Sequence, residues 1–381
     1  MEIFNNVLIC LFLVVISSNY SSAQINNNLV LDGCTTGMSA TGTSLNGAAP
    51  QALNGTCENI EVFRVAGLDL FSASKGSKDG PALESAFNAP DGLDIDGQGN
   101  IYVADRDNHT IRKITTEGVV STLAGQAGVK GYKDGVGSEA LFDEPRDISV
   151  DFMGNVYVVD FRNNVIRKIT PSGVVSTYAG GKQGVKDGVG TDAEFNIPVG
   201  IDIDGQGNLY VAGLRTVRKI DTLQQVTTIA NFPTEWRSYY LSDLVVAPSG
   251  IIYVANANGR TIHRVAVDGT TSLVAGQLGL VGEHEGVVIQ DGVGSDATFA
   301  IPFGLEVDNC GNLYVADGFN LKLRKITPEG VVTTIRDFKG DGVAGFSDLI
   351  FDRAGNFLVA DRGFHGIYRI CLLYTSPSPR D

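Results

Sequence analysis

The chain has 381 residues, of which 43% are hydrophobic and 47 are glycine. This apolar share permits a packed core and argues against wholesale disorder, and glycine without a period of three indicates many tight turns rather than collagen. The 43 acidic and 29 basic residues give a formal charge of −14. Such a balance argues against nucleic acid and anionic membrane surfaces as partners, because both require basic patches.

Residues 1–23 read as a signal peptide. The apolar run Val7–Ile16 is too short to span a bilayer, and Ser21, Ser22 and Ala23 supply the small residues of a cleavage site. The n-region carries Glu2 and no basic residue, so an uncleaved anchor is the alternative. We expect a secreted, extracellular protein with no membrane insertion after cleavage.

Residues 24–60 form a small-residue segment with little core of its own. In an oxidising compartment Cys34 and Cys57 are the natural disulfide pair. Asn54 and Asn108 each begin an Asn-x-Thr sequence and are predicted glycosylation sites if the chain is secreted.

One motif recurs six times from residue 99 onward, with starts 55, 53, 43, 61 and 44 residues apart. Its copies are GNIYVAD at Gly99, GNVYVVD at Gly154, GNLYVAG at Gly207, GIIYVAN at Gly250, GNLYVAD at Gly311 and GNFLVAD at Gly355. From Pro90 to Gly125 four short segments of period two are joined by Asp/Gly/Asn turns, which predicts a four-stranded antiparallel meander. Radial repetition of such units makes a β-propeller.

This unit resembles the NHL repeat, with Asn108-His109 at the position that names the family. The IRKI sequences at Ile111 and Ile166 and their variants at Val217 and Leu323 strengthen the resemblance. It implies an all-β, six-bladed propeller of four-stranded antiparallel blades over residues 61–370.

Counting outer strands predicts how the ring closes. Glu61–Gly67 matches the fourth-strand motif but precedes the first complete blade, whereas the last blade ends at Ile370 without a fourth strand. We therefore expect Glu61–Gly67 to be the outer strand of the last blade, which hides an edge. Residues 371–381 (CLLYTSPSPRD) match no repeat and are interpreted as a non-native tail, with an ordinary disordered terminus as the alternative.

The loops between blades contain Asp-Gly sequences at Asp134, Asp187 and Asp291, each followed by an Ala and a Phe. They lack the ligand spacing of an EF-hand, so we expect return loops whose Ala and Phe plug the space between blades. The plug pairs are Ala140 and Phe142, Ala193 and Phe195, and Ala297 and Phe299. Asp residues before the Gly turns, such as Asp96, are expected to accept hydrogen bonds from turn amides.

One position of the innermost strand alternates between Gly and Asp around the ring: Gly92, Asp147, Gly200, Asp243, Gly304, Asp348. In a propeller the three carboxylates would converge at one mouth of the axial channel. They predict a calcium site, since hard cations take oxygen ligands of this kind. Six-bladed gluconolactonase-like and paraoxonase-like enzymes resemble this arrangement in that they hold calcium on the propeller axis. The alternative is that each Asp accepts hydrogen bonds from a neighbouring backbone amide.

Two loops that open on the same face are irregular. The loop into blade 4 carries Trp236, Arg237, Tyr239 and Tyr240, and the next contains Glu283, His284 and Glu285. Aromatic and charged residues together are typical of binding hot spots. The loop into blade 4 has no Asp-Gly sequence and no Ala and Phe plug, so the rings could instead fill the space that the plug fills elsewhere. These seven residues are the predicted ligand-binding set.

We therefore expect a monomeric binding or interaction scaffold for an unidentified protein or carbohydrate ligand. The alternative is a metal-dependent hydrolase or lyase with an axial metal. The peptide-amidating lyase resembles this fold and binds zinc through histidines. His109, His263 and His365 occupy similar parts of three blades, but no metal-ligand spacing and no GxSxG elbow is present.

Overall fold

The computed structural model describes residues 59–68, 75–233, 240–278, 289–341 and 343–373. These residues form six antiparallel sheets, each a blade of a six-bladed β-propeller, as the repeat predicts. The signal peptide, Asn54 and the Cys34–Cys57 pair lie outside the described residues.

The innermost strands of blades 1 to 6 run along the axis, and each is followed by a second strand that is buried on both faces. The innermost strands are Pro90–Ile95, Pro145–Val150, Gly200–Ile203, Leu241–Val246, Pro302–Val307 and Phe346–Phe351. The second strands are Ile101–Asp105, Val156–Asp160, Leu209–Ala212, Ile252–Asn256, Leu313–Asp317 and Phe357–Asp361.

The third and fourth strands carry each blade outward. The third strands are Thr110–Ile114, Val165–Ile169, Thr216–Ile220, Thr261–Val265, Lys322–Ile326 and Gly366–Leu373. The outer strands of blades 1 to 5 are Val119–Gly125, Val174–Gly180, Gln225–Asn231, Thr271–Gly276 and Val331–Asp337. The outer strand of blade 6 is Asn59–Ala66, where Val62 lies opposite Ile370. Its partner strand continues to Leu373, so three residues of the segment interpreted as a tail belong to the blade.

Blades 1, 2, 3 and 5 carry a fifth strand of two residues on the outer edge: Gly80–Pro81, Gly135–Val136, Gly188–Val189 and Gly292–Val293. Each is followed by a short 3-10 helix: Ala82–Glu84, Gly137–Glu139, Gly190–Asp192 and Gly294–Asp296. Further 3-10 helices form turns between second and third strands: Arg106–Asn108, Phe161–Asn163 and Gly318–Asn320.

The core consists of six apolar layers, one between each pair of neighbouring blades. The second strand explains why the motif is apolar throughout: Tyr102 and Ala104 face blade 2, whereas Ile101 and Val103 face blade 6. The predicted plugs are confirmed, since Phe142 is fully buried in the layer between blades 1 and 2. Phe195 and Phe299 take the equivalent places in two other layers.

A buried arginine on the third strand anchors the Asp-Gly loop of its blade. In blade 2, Arg167 donates to Asp160 at 2.9 Å, to Asp134 at 2.7 Å and to the carbonyls of Leu141 and Lys133. Arg112, Arg218 and Arg324 repeat this arrangement with Asp79, Asp187 and Asp291. The loop aspartates therefore hold the outer edge, and Asp79 begins a fourth loop of this kind that the sequence reading missed.

Candidate functional site at the axial mouth

The three predicted aspartates do meet at the axis, where each ties its own blade to the next. In blade 2, Asp147 Oδ1 accepts a hydrogen bond from Ile148 N at 2.8 Å, and Oδ2 accepts one from Ile201 N of blade 3 at 2.6 Å. Asp243 spans blades 4 and 5 in the same way through Leu305 N, and Asp348 spans blades 6 and 1 through Leu93 N. The structure therefore contains the alternative arrangement, in which each Asp accepts hydrogen bonds from neighbouring backbone amides.

Three further carboxylates, which the sequence reading missed, tie the remaining seams. Asp94 of blade 1 accepts from Val150 N of blade 2 at 2.7 Å, and Asp202 of blade 3 accepts from Val246 N of blade 4 at 2.7 Å. Glu306 of blade 5 accepts from Phe351 N of blade 6 at 3.3 Å. We call the set of Asp94, Asp147, Asp202, Asp243, Glu306 and Asp348 the axial belt: it has one carboxylate for each seam.

A sequence signal for the second three existed. Blades with Gly at the alternating position carry an acid two residues later, as in Gly92-Leu93-Asp94, whereas blades with Asp carry Ser149, Val245 or Ile350 there. Glycine fits these positions because the backbone of the next blade's innermost strand approaches them closely. A Cβ on Gly200 would lie 2.8 Å from the Cα of Asp243, and one on Gly304 would lie 2.6 Å from the Cα of Asp348.

Burial dominates the electrostatics of the axial belt. It raises the pKa of Asp94 and Asp348 to about 7, of Asp202 to about 6 and of Glu306 to about 8. The pKa values of Asp147 and Asp243 are raised well above the ordinary range by burial, and next by the neighbouring belt carboxylates. Amide hydrogen bonds oppose these shifts but do not cancel them.

Above the belt, at the mouth of the channel, the ring loses its regularity. The residue that precedes each Gly or Asp of the alternating position lines one pocket with Tyr240 and Arg362. Around the ring these residues are Asp91, Arg146, Val199, Ser242, Phe303 and Ser347. One acid, one base, two hydroxyls and two apolar groups therefore face a single opening.

Two arginines at the mouth are stacked on aromatic rings. Arg146 Cζ lies 3.7 Å from the ring centroid of Phe161, and its Nη1 donates a hydrogen bond to the Tyr240 hydroxyl. Arg362 lies over Phe303 with 5.0 Å between Cζ and centroid, and its Nε donates to Asp91 at 3.0 Å. Arg362 is thus paired with an acid, whereas no carboxylate of the described residues forms an ion pair with Arg146.

Of the predicted ligand-binding set, Tyr240 lies at this mouth. Trp236, Arg237, Tyr239, Glu283, His284 and Glu285 lie outside the described residues. Tyr240 is half-buried, and its hydroxyl meets Arg146 of blade 2 across the opening. Of this loop, Tyr240 is the described residue that lines the axial mouth, and ligand binding by the predicted set stays a prediction.

The three histidines are not gathered into one site. His109 Nδ1 accepts from Glu144 N at 3.1 Å, and His365 Nδ1 accepts from Ala89 N at 2.9 Å, so both tie neighbouring blades. His263 is buried in blade 4, 2.8 Å from the Thr261 hydroxyl, where burial lowers its pKa to about 4. Among the described residues no group of three His, Cys, Asp or Glu side chains has the arrangement of a metal site.

Asn108, a predicted glycosylation site, is buried in the folded blade. Its side chain is only 7% exposed, and Nδ2 donates to Asp105 Oδ2 at 2.7 Å and to Gly76 O at 2.6 Å. A sugar would replace one of the two Nδ2 hydrogens and so remove at least one of these hydrogen bonds at a buried position, which disfavours a glycan in the folded blade. The Asn-x-Thr signal does not report burial, and glycosylation of Asn108 stays a prediction.

The fold and the carboxylate-tied axis define a six-bladed β-propeller. A family model of the NHL repeat matches residues 87–114, which run from the plug of blade 1 to the end of its third strand. The chain is a six-bladed β-propeller that contains an NHL repeat, as the sequence resemblance implied. Within the described residues no helix is long and apolar enough to cross a membrane.

The chain is similar to parts of larger proteins. It is 27% identical over 298 residues to mouse teneurin-3, covering 73% of this chain and 10% of teneurin-3. It is 27% identical over 326 residues to chicken NHL repeat-containing protein 2, covering 81% of this chain and 40% of that protein. The chain thus spans less than half the length of either relative.

A solved structure shares the fold at low identity. An auxiliary nutrient binding protein from Bacteroides thetaiotaomicron superposes with a TM-score of 0.63 and 19% identity, covering 82% of this chain and 76% of that one. At this identity the likeness shows the architecture alone, because one propeller fold hosts many functions.

Proposed function

We propose that this protein is a secreted, monomeric binding protein whose ligand enters the axial mouth. The observation that carries the proposal is the contrast between two adjacent rings. The belt repeats regularly around the axis and supports the fold, whereas the six residues at the mouth differ in charge, size and polarity. Irregular side chains on a rigid, repeated scaffold are what selective binding requires.

The mouth offers groups of both polarities to a ligand. Arg146 has no acidic partner among the described residues and is held by Phe161 and Tyr240, so it supplies an oriented cation. Asp91 is 4% exposed and paired with Arg362, which places an acceptor on the same opening. A carbohydrate, or a protein loop that presents polar groups, suits such a mixed site better than an apolar molecule does.

Binding can be tested with labelled secreted protein on a glycan microarray and on an array of extracellular proteins. Arg146→Met and Tyr240→Phe should each weaken a genuine hit at least tenfold, whereas Arg264→Met should not. Arg264 is an exposed arginine on the third strand of blade 4 and serves as the matched control. A hit that survives both mouth variants would contradict the proposed site.

A metal-dependent hydrolase or lyase is the second candidate, favoured by the convergence of Asp147, Asp243 and Asp348 below the mouth. The residues fit a directly bound metal poorly, because each carboxylate oxygen already accepts a hydrogen bond from a backbone amide. Calcium at this position stays a prediction. Elemental analysis of protein purified without chelators tests it, since a stoichiometric metal would favour the enzyme.

A further inference from the structure

A cavity lies in the seam between blades 4 and 5, and we call it the seam pocket. Its volume is about 190 Å³, against about 30 Å³ at the axial mouth, which gives it room for about a dozen water molecules. Its lining includes Tyr253, Arg264, Ser272 and Val274 of blade 4 and Gly311, Thr327, Pro328, Glu329 and Gly330 of blade 5. Because the innermost strands begin at the mouth, these turns of blade 5 lie at the opposite end of the blade.

The pocket exists because blade 4 departs from the repeat at two positions. In blades 1, 2, 3 and 5 the tyrosine of the second strand donates to an Asp six residues earlier, as Tyr102 does to Asp96 at 3.1 Å. Blade 4 has Ala247 there, so Tyr253 lacks this acceptor and is half-buried, whereas the other four tyrosines are buried. The second position is Val274, which is smaller than its counterparts in the outer strands of those blades. These counterparts are Leu123, Tyr178, Ile229 and Ile335.

Three polar side chains of blade 4 form one wall of the pocket. Tyr253 lies opposite Arg264, and Arg264 lies opposite Ser272, so the three project from the same face of the sheet. Other blades have a lysine at the Arg264 position that lies over the tyrosine ring, as Lys113 Nζ does at 5.2 Å from the centroid of Tyr102. Arg264 is exposed and forms no ion pair with another described residue. Burial raises the pKa of Tyr253 and the charge of Arg264 opposes that shift, which indicates that the guanidinium lies near the hydroxyl.

The chemistry of the two walls defines what the pocket accepts. Tyr253, Arg264 and Ser272 offer hydrogen-bond donors without an acid among them, and a guanidinium matches the two oxygens of a carboxylate. The facing turn of blade 5 supplies an acceptor in the exposed carboxylate of Glu329. A ligand that satisfies both walls carries one carboxylate and at least one hydroxyl. With about a dozen non-hydrogen atoms it would also fill the space, whereas inorganic phosphate would not.

We propose that the seam pocket binds a small hydroxylated carboxylate with the size and chemistry of a sugar acid. The carboxylate pairs with Arg264 and accepts hydrogen bonds from Tyr253 and Ser272, and a hydroxyl of the ligand donates to Glu329. The pocket is separate from the axial mouth, so binding here does not depend on the mouth being a binding site.

Calorimetric titration of the full chain with sodium glucuronate tests the proposal. Glucose, which lacks the carboxylate, and inorganic phosphate, which lacks the hydroxyls, are the comparison ligands. We expect saturable binding of glucuronate and at least about tenfold weaker binding of the other two, since a hydrogen bond to a charged group contributes at least that factor. Arg264→Met should weaken glucuronate binding by about tenfold for the same reason. Lys219→Met changes the corresponding cation of blade 3 and should leave the affinity unchanged.

A second variant closes the pocket without removing any of its polar groups. Ala247→Asp introduces the acid that four other blades carry, in a turn with the same hydrogen bonds, Ala247 N to Ile251 O and Gly250 N to Ala247 O, both at 2.8 Å. The new carboxylate would accept from Tyr253 and place a negative charge near Arg264. We therefore expect a melting temperature that is unchanged or higher, together with glucuronate binding at least about tenfold weaker.

Four results would overturn the proposal. The first is the absence of saturable glucuronate binding by the parent chain. The second is equal affinity for glucose or for phosphate, which would leave no selectivity for a sugar acid. The third is an affinity that neither Arg264→Met nor Ala247→Asp lowers. The fourth is an affinity that falls in Arg146→Met and not in Arg264→Met, because the ligand would then bind at the axial mouth.

Discussion

Replacing Arg167 by methionine tests whether the arginine anchors support the blades. Arg167 is fully buried and donates to Asp160, Asp134 and two carbonyls, and its Cζ lies 5.0 Å from the Phe142 ring centroid. Methionine keeps most of the volume but none of the donors. The chain offers a natural control in Arg218, which makes the same contacts except one, because Gly213 stands where blade 2 has Asp160.

The expected loss in the free energy of unfolding depends on which buried groups each variant leaves without a partner. Arg167→Met strands the fully buried Asp160, and removing one partner of a buried ion pair destabilises by about 3–5 kcal/mol. Arg218→Met leaves no buried carboxylate, so the loss is that of hydrogen bonds to a charged group, about 1.5–3 kcal/mol. Since a domain is stable by only about 5–15 kcal/mol, both losses are measurable.

Urea unfolding of both variants at pH 8 gives the comparison, and we expect Arg167→Met to lose about 2 kcal/mol more than Arg218→Met, the difference between those two ranges. Adding Asp160→Asn to Arg167→Met should recover part of this difference. Burial already raises the pKa of Asp160 to about 6, so protonation should also narrow the gap at pH 5. Equal losses for the two arginines, or a second substitution that recovers nothing, would refute the reasoning.

Three further predictions concern packing, charge and closure. Gly200→Ala should destabilise by about 1–3 kcal/mol through its clash with Asp243, whereas Gly205→Ala, with open space around its Cβ, should be neutral or slightly stabilising; thermal unfolding compares them. His263 should remain neutral in the folded chain down to about pH 4, so its contribution is present above pH 6.5 and lost as the pH falls; NMR titration against a His263→Gln spectrum checks this. Deleting residues 1–66 should promote aggregation, seen by light scattering, because it uncovers the edge that Asn59–Ala66 protects, whereas deleting 374–381 should not.

The repeat alone determined the architecture. Six copies of an apolar strand flanked by Gly turns predict six blades because each blade is specified locally, over about 35 residues such as Pro90–Gly125. The same locality made the Asp96 turns and the Phe142 plug predictable. Asp96 Oδ1 accepts from Gln98 N at 2.8 Å and Asn100 N at 2.9 Å, partners within four residues along the chain.

Only the tertiary structure decided what the axial acids do. The sequence showed that Asp alternates with Gly at this position. It could not show that Gly200 must lack a side chain so that the backbone of Asp243 can pack against it. Nor could it show that Leu305, 62 residues away along the chain, supplies the amide that Asp243 binds. The acids two residues after Gly200 and Gly304 are visible in the sequence, but only the structure shows that Asp202 and Glu306 bind amides of the next blade. Contacts between blades depend on how the ring closes, and a repeat read one unit at a time contains no record of its neighbour.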